Sequence, residues 1–238
     1  MVDAQMQEKI SGLVEQYLKD DNNTYKRMVP ILLKKGLENA NLEMFPESTR
    51  KGLLDAVGDE LVKKGRTKEA IDAFLKAENK MKLTEIGDNY KNMHMFSQAI
   101  ECYQKANARE RLLQIGETCL RDGQMTDAIK AFQIVGETQR LLLVGEECLK
   151  REKFESAIEV FSFLKNNQKL IEVGDLCVKQ DQLILSAKAF EIAGAKEKLN
   201  LVGDIFLQKE QLNNAYEVYK VAGNEVMIHF LRENFNMM

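Results

Sequence analysis

Leu112-Leu113-Gln114-Ile115-Gly116-Glu117-Thr118-Cys119-Leu120 decides how this chain is read, because its pattern returns with a stride of 29 residues. The central pair recurs as Gly58-Asp59, Gly87-Asp88, Gly116-Glu117, Gly145-Glu146, Gly174-Asp175 and Gly203-Asp204. Four residues before each glycine stands a leucine, from Leu54 to Leu199; one before it stands Val57, Ile86, Ile115, Val144, Val173 or Val202. Three after it come Leu61, Tyr90, Cys119, Cys148, Cys177 and Phe206. Offsets of i, i+3, i+4 and i+7 mark one apolar face of an α-helix.

A second apolar face follows in every copy. Ala70, Ala99, Ala128, Ala157, Ser186 and Ala215 are followed four residues on by Phe74, Tyr103, Phe132, Phe161, Phe190 and Tyr219. Turn or cap formers such as Gly65 and Asp122-Gly123 separate the faces, and Asn79, Asn107, Gly136, Gly194 and Gly223 stand where a left-handed C-cap belongs. Each unit is therefore expected to be a helix hairpin. A glycine inside a helix costs about 1 kcal/mol against alanine, so its sixfold return requires a packing gain. Helix A is expected to approach helix B there, with the alanine facing the glycine and the aromatic ring beside it. One hairpin cannot shelter both faces, whereas a stack can.

These residues resemble the tetratricopeptide-repeat (TPR) signature. The resemblance rests on Leu54-x-x-Val57-Gly58-x-x-Leu61 followed by Ala70-x-x-x-Phe74-x-x-Ala77, and it covers residues 51–224. The period is 29 rather than the family's usual 34, and the proline that closes the second helix is missing. Shortened units of this kind are similar to the helical tails of intraflagellar-transport and vesicle-coat subunits. The resemblance implies an all-α fold, a right-handed α-solenoid. Residues 1–50 are expected to form an N-terminal helical cap or degenerate repeat, with helices over about 4–19 and 24–37. Six repeats follow at 51–79, 80–108, 109–137, 138–166, 167–195 and 196–224, then a C-terminal helix at 225–238.

Composition narrows the function. A net charge of −3 gives no basic field for a nucleic-acid backbone. No long apolar run or leader-like start is present, so no membrane insertion is expected and a cytoplasmic location is. Cys119, Cys148 and Cys177 repeat at one helix position about 10 Å apart, beyond disulfide reach, and read as small buried hydrophobes. No C-x-x-C, G-x-S-x-G or phosphate loop occurs, and His94 and His229 are isolated, so neither catalysis nor a metal or other cofactor is expected.

The candidate functional residues are two files. The TPR resemblance places Asp59, Asp88, Glu117, Glu146, Asp175 and Asp204 along a concave groove. Acids stand where the family clamps a terminal carboxylate with asparagines, so that clamp is not expected. Val62, Leu120, Leu149, Val178 and Leu207, four past the glycine with Lys91 the exception, face the same groove by analogy, and they read either as core between repeats or as an apolar stripe that receives a partner helix or peptide. Two readings of the acids stay open: intrahelical pairing of Asp59 with Lys63, Glu117 with Arg121, Glu146 with Lys150 and Asp175 with Lys179, or capture of a basic partner. The cations Lys82, Arg111, Arg140, Lys169 and Lys198 answer to the dipole of the preceding helix or to an acidic segment. Leu183-Ile184-Leu185 reads as a helix contact or a partner patch. The expected role is a protein-protein interaction scaffold for a peptide or helix; the alternative is a self-associating subunit of a larger assembly.

Overall fold

The computed structural model describes residues 28–40, 42–43 and 45–235. Among them no strand occurs. Helix α1 covers 28–35, and a 3-10 turn follows at Leu37–Asn39. The helix expected at 4–19 lies outside the described residues, as does the start of the one expected at 24–37. That second helix stops short of Leu37 because Gly36 turns left-handed at φ 85°.

Six hairpins follow: α2 (Glu47–Lys63) with α3 (Thr67–Lys76), α4 (Lys80–Asn92) with α5 (Phe96–Lys105), and α6 (Arg109–Arg121) with α7 (Met125–Val135). Then come α8 (Thr138–Lys150) with α9 (Phe154–Phe163), α10 (Asn167–Lys179) with α11 (Leu183–Ala193), and α12 (Lys196–Gln208) with α13 (Leu212–Ala222). A last helix, α14, spans Glu225–Phe235. Helices α2 to α5, and again α7 to α14, each pack on the next in chain order, as an all-α solenoid requires.

Each hairpin turns at two left-handed residues held in register. The turn between its helices uses Gly65, His94, Gly123, Glu152, Asp181 and Glu210, and the turn to the next hairpin uses Glu78, Asn107, Gly136, Lys165, Gly194 and Gly223. Asn79, expected as a left-handed C-cap, is displaced by one position. Glu78 takes that conformation, and Asn79 instead caps the start of α4 by accepting the Lys82 amide N–H at 3.1 Å. Asn166 and Asn224 cap α10 and α14 in the same way.

The recurring glycines are explained by the rings. A Cβ placed on Gly87 would lie 2.6 Å from the Tyr103 ring, and one on Gly145 would lie 2.7 Å from the Phe161 ring and 2.9 Å from Cγ1 of Val160. The ring itself, rather than the alanine, covers the glycine. The alanines are nonetheless fully buried, filling the layer beneath. Ser186, the one polar substitute in that file, is buried with no hydrogen-bond partner for its hydroxyl.

The chain divides inside α6, at Leu112–Leu113, into two compact units. In the first, Val29 and Leu32 of α1 are buried in one cluster with Val57, Phe74, Leu83 and Ile86. In the second, Phe190, Leu199, Val202, Tyr219, Ile228 and Leu231 share a cluster that reaches α14.

Candidate protein-binding groove

The acid after each glycine leaves its own helix. Asp59 pairs with Lys82 at 3.2 Å and Asp88 with Arg111 at 3.2 Å; Glu117 pairs with Arg140. Glu146 pairs with Lys169 at 3.7 Å and Asp175 with Lys198 at 2.7 Å. Every rung joins helix A of one repeat to helix A of the next. The expected intrahelical partners do otherwise: Lys63 bonds Glu60 at 2.6 Å, and Lys150 lies 3.7 Å from Glu147. The cations therefore have carboxylate partners as well as a place near the end of the preceding helix, and the two files are the two sides of one ladder. These groups stay partly exposed, so each rung contributes only about 0–1 kcal/mol; their repetition fixes the register of neighbours. At the first rung, the Asp59 carboxylate and then Glu85 raise the Lys82 ammonium above its usual range, against the opposing effect of burial.

Where the ring is tyrosine it also reaches the file. Tyr103 donates its hydroxyl to Asp88 at 2.7 Å and Tyr219 to Asp204 at 2.6 Å. Burial, with the facing carboxylate second, pushes both phenols well up. Asp204 is the acid without a rung. The position that carries a cation in the other repeats holds Met227 there, and no ion pair reaches Asp204 among the described residues.

The apolar file is half-buried. Leu120, Leu149, Val178 and Leu207 all lie between core and solvent. Two of the predicted acids and one member of this file meet in a groove of about 590 Å³ between α10 and α12. Asp175, Val178 and Asp204 line it with Lys198, Leu201 and Ile205, and Phe190 lies at its floor with the Lys198 ammonium 6.0 Å from the ring centroid. Leu201, two residues before its glycine, is 55% exposed at this groove. Sequence reading missed it because the position varies: Ala56, Glu85, Gln114, Leu143 and Glu172 are its equivalents. The remaining predicted residues stand in the same register on their own helices, outside this groove.

A second cavity, of about 610 Å³, lies between α1 and the α2–α3 hairpin, lined by Leu32, Leu33, Leu37, Leu61 and Leu75 under a rim of Arg66, Glu69 and Asp72. Asp55 in the same unit has a buried Oδ1 with no partner, and desolvation raises its carboxyl despite a hydrogen bond from Asn79. Of Leu183-Ile184-Leu185, the first is buried, the third half-buried and Ile184 is 70% exposed, so the stretch serves both a helix contact and the surface. Cys102, Cys119, Cys148 and Cys177 are free and buried. Burial pushes the Cys119 thiol up to about 12 and Cys102 and Cys177 to about 11, leaving them protonated and unreactive.

No known protein family and no curated protein matches this chain. Its class is defined by the fold alone: an all-α array of neighbour-packed helix hairpins in which, among the described residues, no helix is long and apolar enough to cross a membrane.

Proposed function

We propose that this chain is a non-catalytic, TPR-like protein-binding scaffold whose groove between α10 and α12 receives a helix or extended peptide of a partner protein. The supporting observation is the exposed Leu201 lining the groove with Val178 and Ile205, together with Asp204, whose carboxylate accepts from Tyr219 but meets no cation among the described residues. Apolar side chains anchor a peptide in such a groove, and a neighbouring charge selects its flank. The ladder refines the expected basic preference. Five acids are already met by cations, so the preference concentrates on Asp204 rather than running along the whole file. Four unpaired buried thiols fit the reducing conditions of the cytoplasm.

Selection of helical and linear peptides by display against the whole chain tests this. The enriched peptides are expected to carry an aliphatic or aromatic anchor flanked by Lys or Arg. Leu201→Asp is expected to weaken them about 30-fold or more, the loss of one interface anchor, and Asp204→Asn to remove the basic preference. Peptides that bind Leu201→Asp as tightly as the parent chain would contradict the groove.

A further inference from the structure

The second helices of the last four hairpins carry a second surface, built from residues that do not line the groove. Eighteen residues past the repeat glycine stand Ile134, Phe163, Ile192 and Val221. Ile134 is half-buried, whereas Phe163, Ile192 and Val221 are 49%, 39% and 46% exposed. Scattered apolar side chains on a surface need no explanation. These are not scattered: they hold one register on α7, α9, α11 and α13, which pack successively against one another. The same register in the first unit is polar, with Lys76 and Lys105.

One helical turn before each member stands a charge, and residues four apart share a helix face. The row reads Lys130, Glu159, Lys188, Glu217, alternating in sign. Lys220 lies 3.7 Å from Glu217, and both side chains remain mostly exposed. A partner surface of uniform charge gains nothing from an alternating row. A copy of the row turned end for end does, because plus-minus-plus-minus reversed is minus-plus-minus-plus.

We propose that this face binds a second copy of the chain about a two-fold axis running parallel to the helices, between α9 and α11. That axis sets Phe163 against Ile192 and Ile134 against Val221 of the other copy, and it pairs Glu159 with Lys188 and Lys130 with Glu217 across the interface. The other in-plane axis, perpendicular to the helices, sets each helix against its own copy: through the charged row it opposes like sign to like, and through the apolar row it leaves the charges unmatched. The charges therefore choose the first. The interface is isologous and closes at two copies. It uses no residue of the groove between α10 and α12, so a dimer presents that groove twice.

Sedimentation equilibrium of the full chain tests the proposal, with circular dichroism as the folding control. The parent chain is expected to dimerise, and Phe163→Glu to raise the dissociation constant about 30-fold or more. Glu159→Lys and Lys188→Glu are each expected to weaken the dimer about 10-fold, and the two together to restore it, since the swapped row is again complementary to its own reverse. A monomer at every concentration would overturn the proposal. So would a dimer indifferent to Phe163→Glu, or a doubly swapped chain as weak as the single variants.

Discussion

Gly145 shows how one missing side chain sets the spacing of a hairpin. Alanine is the better helix former by about 1 kcal/mol, but its methyl would sit inside contact distance of both Phe161 and Val160, and overpacking costs about 1–3 kcal/mol. Packing prevails. Gly145→Ala is expected to lower stability in urea by up to about 2 kcal/mol; a rise would mean that propensity, not ring contact, governs the position. Asp55 works through its proton. Its carboxyl is raised in the folded state, so the fold holds the proton more tightly than the unfolded chain does. That favourable contribution is complete below the ordinary carboxylate range and is lost as pH rises through the folded value. Asp55→Asn is therefore expected to stabilise the protein at neutral pH, with the gain fading in acid, as thermal melts across pH would record. The glycines and rings were legible in the sequence because six copies repeat them. The partners of the acids were not. A rule for neighbours on one helix points from Asp175 to Lys179, while the cation that meets it, Lys198, lies across a whole hairpin.

At the scale of the element, the boundaries follow from two left-handed turns per repeat. Gly65 and Gly123 mark the first of them, and Gly136, Gly194 and Gly223 the second. Sequence reading found those and missed Glu152 and Lys165, whose residue types give no sign of positive φ although their register does. A non-glycine residue in that conformation costs roughly 1–2 kcal/mol, part of which glycine returns through its larger unfolded-state entropy. Lys165→Gly is expected to raise stability by about 0.5–1 kcal/mol. An unchanged or lower urea midpoint would show that the turn is not strained. Helix starts are tied more locally: Asn79, Asn166 and Asn224 each accept an amide N–H of the helix that follows.

At the scale of the whole molecule, the fold class was legible because a stride needs no knowledge of contacts, whereas the groove was legible only in part. Asp175, Val178 and Asp204 were visible as members of files, but Leu201 belongs to a position that no periodicity marks. Binding sites on repeat arrays depart from the repeat where they must distinguish a partner, and a search for what recurs passes over what does not. The claim beneath both the groove and the two-fold surface is that the hairpins are equivalent units, each stabilised by its neighbours. Excising one complete unit, residues 138–166, and joining Glu137 to Asn167 tests it most directly. The account predicts a folded protein with helicity per residue unchanged, cooperative unfolding, and α7 seated on α10 as it now is on α8. A shortened chain that is unfolded or molten by circular dichroism and urea titration would contradict it.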